Sequence, residues 1–238
     1  MKRIVDLLFS AAALIAASPI MLTAIAAVWL YDRNSPFYRA KRAGYRNSDF
    51  MMLKIRSMRV DADKIGGTST SGRDPRITPV GHYVRRFKLD ELSQFWNVLA
   101  GDMSVVGPRP NTRRDGVDLY TAEEMHLLSV KPGVTDISSI VFSDEGNILA
   151  GSDDPDGHYN RVIRPWKSRL GLLYIDHQSP MLDLQIIWLT GVALVSKPKA
   201  LRGVTAILEN IGADARLIEI CRRQAALPEG LPPGAQIA

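Results

Sequence analysis

The stretch KLDELSQFWNVLAGDMSVVGPRP, residues 88–110, opens on an acid pair, Asp90-Glu91, and closes on a turn, Gly107-Pro108-Arg109-Pro110. Between them Leu89, Leu92, Phe95, Trp96 and Leu99 recur at spacings of three and four, which predicts one amphipathic helix. Gly101 follows the last apolar residue and supplies the stop. Asp90 and Glu91 then fall in the first helical turn, where the helix dipole favours negative charge. Taken alone, the pair does no more than complement that dipole and cap orphan amides. Arg109 adds a second element. Flanked by prolines, it is held on stiff backbone, and its guanidinium fork suits a phosphate.

Working outward toward the N-terminus, residues 7–30 read LLFSAAALIAASPIMLTAIAAVWL, an apolar run long enough to span a bilayer once. It is too long for a signal peptide and carries no convincing cleavage site. Lys2 and Arg3 precede it, and Arg33, Arg39, Lys41, Arg42 and Arg46 follow, so both flanks are basic. A simple span is expected to be basic on one side only. Ser18-Pro19 sits near the middle. Proline removes one helical hydrogen bond and kinks the helix, and the Ser18 hydroxyl can bond back to the freed backbone. These features predict a re-entrant helix-break-helix that enters one leaflet and returns, with Asp6 at the interface.

The whole chain has 238 residues, a net charge of +5 and one cysteine, Cys221. That length buries a proper core. The charge points to anionic partners, and the cysteine count excludes a disulfide framework or thiolate metal cluster. The four histidines lack ligand spacing. Nucleic acid is disfavoured as a partner, because the basic residues are mostly juxtamembrane and no nucleic-acid motif is present. Residues 35–58 form a basic, aromatic patch suited to anionic lipid, at about 1 kcal/mol per cation. Within it Lys54, Arg56 and Met58 share one face of an extended segment. GGTSTSG, residues 66–72, predicts a mobile loop and is not a phosphate-binding P-loop. Arg85 and Arg86 lie about one helical turn before Asp90.

In the C-terminal third, residues 120–128 predict a short helix and residues 137–142 a strand, with Asp144 and Glu145 solvated beside it. Residues 153–156, Asp-Asp-Pro-Asp, lack the glycine and glutamate of a calcium loop and predict a surface turn. Residues 159–174 predict a helix with Arg161, Arg164, Lys167 and Arg169 on a polar, membrane-facing side. Residues 186–195 are too short to span and predict an interfacial or core helix. Residues 203–227 look helical, and LPEGLPPG at 227–234 predicts a disordered tail.

Acids at a helix start, arginines from two directions and an adjacent membrane segment together suggest phosphoryl chemistry at a membrane surface. Such chemistry neutralises anionic oxygens and usually employs magnesium held by carboxylate. One carboxylate could hold the metal while its neighbour attacks phosphorus. Lys54-Ile-Arg-Ser-Met58, Leu89-Asp-Glu-Leu92, Asn97-Val-Leu-Ala-Gly-Asp-Met-Ser104, Gly107-Pro-Arg-Pro110 and Lys131-Pro-Gly-Val-Thr135 resemble the bacterial sugar transferase family. These are monotopic polyprenyl-phosphate phosphoglycosyl transferases. The resemblance runs from about Lys2 to about Pro198 and includes Ser18-Pro19 of the re-entrant helix.

The resemblance implies transfer of a sugar-1-phosphate from a nucleotide sugar, usually a UDP-sugar, to polyprenyl phosphate. Asp90 would be the nucleophile carrying a covalent phosphosugar, Glu91 would support a magnesium (Mg2+) site, and Lys54, Arg85 and Arg109 would surround the phosphates. It also implies the minimal form of the family, on the cytoplasmic face of a bacterial inner membrane, with lipid and a homodimer mate as further partners. The chain departs from the family pattern at Tyr38, Ala40, Arg42 and Gly44, where a glutamine is missing, at Phe87-Lys88, and at Asp136-Ile-Ser-Ser-Ile140, where Gly-Trp is common. The expected fold is α+β and helix-dominated. A re-entrant membrane helix over 1–33 is followed by a compact cytoplasmic catalytic domain over 34–200 with short strands and interfacial amphipathic helices. Residues 201–238 form a helical extension and tail. A membrane-anchored basic adaptor binding anionic lipid or polyanions, and a membrane phosphatase, remain as alternatives.

Overall fold

The structure, a computed structural model, describes residues 2–62, 65, 74–114 and 116–235. The predicted mobile loop at 66–72 lies outside the described residues. Helices dominate, with two small two-stranded sheets.

Helix α1 runs from Lys2 to Asp32 without interruption, although Pro19 lies inside it. Where the sequence predicts a break, the structure has one helix, and a local hydrogen bond shows how it continues. Pro19 cannot bond the Ile15 carbonyl four residues back, and the Ser18 hydroxyl donates to that same oxygen at 2.8 Å. α1 is the one described helix long and apolar enough to cross a membrane. Its buried residues, Asp6, Ser10, Met21, Ala24 and Val28, fall on a single face, while Leu8, Ile15 and Leu22 are exposed.

Both ends of α1 are fastened to the rest of the chain. Lys2 Nζ reaches Asp183 at 2.6 Å, and Arg3 donates to the Leu99 carbonyl at 3.0 Å. Asp6, expected at a membrane interface, is buried and accepts from the Ser104 hydroxyl and the Val105 amide. At the other end Asp32 takes two guanidinium hydrogen bonds from Arg56, both 2.7 Å.

Strands β1 (Phe37–Ala43) and β2 (Asp49–Ile55) form an antiparallel hairpin, with Phe37 opposite Ile55 and Ala43 opposite Asp49. Helix α2 (Pro79–Arg86) follows, then α3 (Leu89–Leu92) and α4 (Gln94–Ala100). The single helix predicted over 89–100 is therefore divided at Ser93, whose hydroxyl lies 3.1 Å from both the Asp90 carbonyl and the Leu53 carbonyl of β2. Asn97 bonds β2 twice more, accepting from the Leu53 amide and donating to the Met51 carbonyl. Gly101 ends α4 in the left-handed conformation, φ 97°, as its position predicts. β3 (Ser104–Val106) pairs in parallel with β4 (Gly133–Thr135).

Residues 137–142, predicted as a strand, form α5 (Ile137–Val141) because Asp136 caps it, accepting from the Ser139 amide at 2.7 Å. Asp144 and Glu145, expected to be solvated, are paired: Asp144 with Lys197 and Arg223, Glu145 with Lys167. Short helices α6 (Glu145–Ile148) and α7 (Pro155–His158) follow, the latter capped by Asp154. A single π turn, Tyr159–Ile163, leads into α8 (Arg164–His177). Arg164 is not on a membrane-facing surface as predicted. It is buried against Glu124, whose carboxylate also accepts from Ser168.

α9 (Pro180–Val195) is a core helix on one side, through Leu182, Ile186 and Leu189, and exposes Met181, Leu184 and Trp188 on another. α10 (Lys197–Asn210) and α11 (Ala215–Arg222) add Val204, Leu208, Leu217 and Cys221 to the same continuous core as Val98, Ile140 and Leu170. Where a disordered tail is predicted, the Pro228 carbonyl accepts from the Trp166 indole, and the Gly230 amide donates to Arg161.

Candidate active site

The acid pair is placed by a tight reversal between α2 and α3. Thr78 caps α2 by accepting from the Gly81 amide at 2.9 Å, and Pro79 fills the first turn, where its missing N–H is harmless. Gly81 lies against the chain at Ser57, where an added Cβ would come within 1.8 Å of the carbonyl oxygen. One turn on, Arg85 Nε donates to the Ser57 hydroxyl at 2.9 Å. Lys88 then turns the chain in the left-handed region, φ 55°, which is unfavourable for a non-glycine residue. Leu89 packs with Ala24 and Val28 of α1, Ile55 of β2 and Val84 of α2. That small apolar cluster ties the start of α3 to the membrane-type helix.

The next residue, Asp90, is buried, and it shares a cavity of about 470 Å³ with Lys54 and Arg85. Arg56, Arg59 and Arg76 also line this cavity, beside Phe37, Tyr38 and Met58. Glu91 lines a second cavity of about 350 Å³ with Arg109. The second cavity is rich in hydroxyl, amide and charged groups, among them Ser139, Ser143, Tyr159 and Asn160, and it contains the Glu145–Lys167 ion pair. Arg42 and Thr112 line both cavities, which therefore adjoin.

The two acids differ electrostatically. Burial pushes the Asp90 carboxyl above its ordinary value, and Glu91 adds to this, while Lys54 and Arg85 pull it back without cancelling the rise. Burial also acts to raise Glu91, but Arg109, Lys88 and Lys54 outweigh it and hold that carboxyl below its ordinary value. Arg109 Nη2 donates to Glu91 Oε1 at 3.0 Å, and its Nη1 donates to the Val134 carbonyl. Burial lowers Lys54, with Asp90 and Glu91 opposing. A half-buried cation next to a buried carboxylate is an arrangement that an incoming phosphate would complete.

All five residues expected at the site come together, but in two groups: Lys54, Arg85 and Asp90 in one cavity, Glu91 and Arg109 in the other. Arg56 lines the same cavity as Lys54, as expected, with its fork taken up by Asp32 and the Ser35 carbonyl. Sequence reasoning missed Arg42, Tyr159 and Lys167 as site-lining groups. Arg42 was legible only as one of several juxtamembrane cations, and Lys167 only as a surface charge.

No three His, Cys, Asp or Glu side chains converge as a metal cage among the described residues. Magnesium does not require one, since it is commonly held by one or two carboxylates plus phosphate oxygens and water. Adjacent oxygen-donor acids beside a cationic cavity fit that pattern.

The profile of the family described as Bacterial sugar transferase matches residues 1–197. The chain is 37% identical over 195 residues to an undecaprenyl-phosphate glucose phosphotransferase of Komagataeibacter xylinus, covering 79% of this chain and 35% of the relative. It is 35% identical over 193 residues to a UDP-glucose:undecaprenyl-phosphate glucose-1-phosphate transferase of Klebsiella pneumoniae, covering 79% and 39%. It is 33% identical over 190 residues to the uncharacterized sugar transferase EpsL of Bacillus subtilis, covering 80% and 85%. The chain thus spans well under half the length of the first two relatives and most of the third.

Proposed function

The chain belongs to the bacterial sugar transferase family, and from that membership and the site geometry we propose that it transfers a sugar-1-phosphate from a UDP-sugar to a polyprenyl phosphate. The observation that carries this reading is Asp90, a carboxylate buried in a cationic cavity with Lys54 and Arg85. The names of the relatives, which act on undecaprenyl phosphate and glucose or N-acetylgalactosamine phosphate, supply the substrate class.

In the first half-reaction an Asp90 carboxylate oxygen attacks the β-phosphorus of the donor. The new P–O bond forms as the bond to the nucleoside monophosphate breaks, and that leaving group departs with the electron pair. In the second, an oxygen of polyprenyl phosphate attacks the phosphosugar, and the bond to Asp90 breaks to restore the carboxylate. Lys54 and Arg85 neutralise the phosphate oxygens in the Asp90 cavity, while Arg109 keeps Glu91 ionised. Glu91, with Asp90 beside it, would hold magnesium, which would supply further neutralisation of phosphate charge.

The sugar stays on phosphorus through both half-reactions, whereas the nucleotide and the polyprenyl chain exchange. The two cavities divide along that line. The cavity containing Asp90 adjoins the end of α1 through Asn34 and Ser35 and takes the exchanging groups. The second cavity, with its hydroxyls, amides and ion pair, takes the sugar. Membrane association rests on α1, and the attachment of both its ends to one body favours a monotopic placement.

The test is Asp90→Asn, assayed for nucleoside monophosphate release from UDP-sugars with polyprenyl phosphate present. We expect a loss of at least about a thousandfold. Retained turnover would remove Asp90 as the nucleophile. Salt-sensitive lipid binding without any turnover in the wild type would favour the adaptor reading instead.

A further inference from the structure

Residues 198–235 lie beyond the stretch matched by the family, and two parts of them grip the walls of the second cavity from outside. One wall is the run 142–146, in which Phe142, Ser143, Glu145 and Gly146 line that cavity. Asp144 instead lines a separate cleft with Lys197, Arg202, Arg222 and Arg223. Arg223, just past the end of α11, donates from Nη2 to Asp144 Oδ2 at 3.0 Å and lies over the Phe142 ring, 5.7 Å from its centroid. Lys197 Nζ is 2.6 Å from the other Asp144 oxygen.

The opposite wall contains Tyr159, Asn160 and Lys167. Residues 228–231 run behind it. The Trp166 indole donates to the Pro228 carbonyl at 3.1 Å, the Gly230 amide to the Arg161 carbonyl at 2.9 Å, and Arg169 to the Leu231 carbonyl at 2.8 Å. The pattern is the same on both sides. Glu145 and Lys167 form an ion pair in the cavity, and the neighbour of each, Asp144 or Trp166, is held by the extension.

Core packing alone does not account for Arg223. Leu217, Ile220 and Cys221 already fasten α11 to the core. Arg223 adopts a left-handed conformation, φ 54°, and its Nη1 is buried with no hydrogen-bond partner among the described residues. Both features oppose stability, so the bond to Asp144 is made against a local cost.

We infer that the C-terminal extension is a clamp that holds the Glu145–Lys167 pair in position, with Arg223 as a positioning residue, and thereby sets how tightly the second cavity binds the sugar of the donor. This rests on the placement of the sugar proposed above. Glu145 and Lys167 present an acceptor and a donor at a separation set by backbone on two different segments. A hydroxylated ring bound against the pair is recognised only while those segments stay in register.

The experiment compares Arg223→Gln, Arg223→Lys and Arg222→Gln in the full chain in lipid nanodiscs. Arg222 is the control: it lines the same cleft as Asp144 but gives its guanidinium to Glu209 within the extension, at 3.0 Å. Arg223→Gln is expected to raise the KM for the UDP-sugar about fivefold to tenfold, as for loss of one charged hydrogen bond. The KM for polyprenyl phosphate should stay unchanged and amide hydrogen exchange at residues 142–149 should rise. Arg223→Lys should restore most of the donor KM, and Arg222→Gln should resemble wild type. Unchanged exchange in Arg223→Gln overturns the clamp, and so does a rise in both KM values together or an equal effect of Arg222→Gln. Faster exchange with an unchanged donor KM overturns the link to sugar binding. If the wild type transfers no sugar phosphate, the proposed activity fails by itself, and the exchange measurement still decides whether the clamp exists.

Discussion

Burial raises the carboxyl of Asp90, while Arg109, Lys88 and Lys54 outweigh burial at Glu91 and lower it. The consequences for stability are opposite. A raised folded-state pKa contributes stability that is complete below the unfolded value, 3.8 for Asp90, and is lost as pH rises through the folded value. At neutral pH the buried Asp90 charge is therefore destabilising. Asp90→Asn should leave Tm unchanged or higher at pH 7 in the presence of a chelator while turnover is lost; a clear fall in Tm would contradict this. For Glu91 the depressed pKa contributes stability above the unfolded value, 4.5, which is lost as pH falls through the folded value. Glu91→Gln should lower Tm at pH 7 by roughly 2–4 °C, for a partly exposed pair worth about 1 kcal/mol, and the difference should vanish toward acid pH. Thermal scans across pH, again with chelator, check this. The pair itself was legible in the sequence as adjacent acids at a helix start. Their different characters were not, because Lys54 and Arg109 are brought to them by β2 and by the turn after β3.

The joint between α2 and β2 makes the sharpest element-scale prediction. Gly81→Ala would push Cβ into the Ser57 carbonyl, which is backbone and cannot rotate aside. We expect a loss of about 1–3 kcal/mol, visible as a lower Tm, together with reduced turnover because Arg85 lies one turn on. An unchanged Tm would mean that α2 can slide freely on Ser57. Periodicity identified the apolar face of residues 89–99 but could not show the division at Ser93, which arises from a hydrogen bond to β2, 40 positions earlier in the chain. For the same reason residues 137–142 read as a strand from their β-branched content. Asp136 decides for helix by capping it, a choice between two local options that only the folded surroundings resolve. Polar side chains on α8 looked like a membrane-facing surface because their partners, Glu124 and Glu145, lie on distant segments.

On the scale of the whole molecule, α1 is fastened at both ends to the rest of the described chain, and this bears on how the protein can meet a membrane. With α1 held at Lys2, Arg3 and Asp6 at one end and at Asp32 at the other, a cysteine added before Met1 and Ser48→Cys should both be labelled from the same side of the bilayer. The single native cysteine, Cys221, is buried and should give little background. Labelling from opposite sides would exclude the monotopic placement. The tail was the feature least legible at this scale: proline and glycine at 227–234 imply disorder, yet the carbonyls of Pro228, Leu231 and Pro233 are taken up by side chains of other segments. The bond between Asp32 and Arg56 has a mechanical meaning as well. Arg56 is two residues from Lys54, so in the proposed monotopic placement the depth of α1 in the lipid would carry the Asp90 cavity with it. The helix would then work as a gauge. Turnover should follow acyl-chain length in nanodiscs of graded thickness, with an optimum that flattens in Arg56→Gln. A thickness-independent rate in the wild type would show that altitude is set elsewhere.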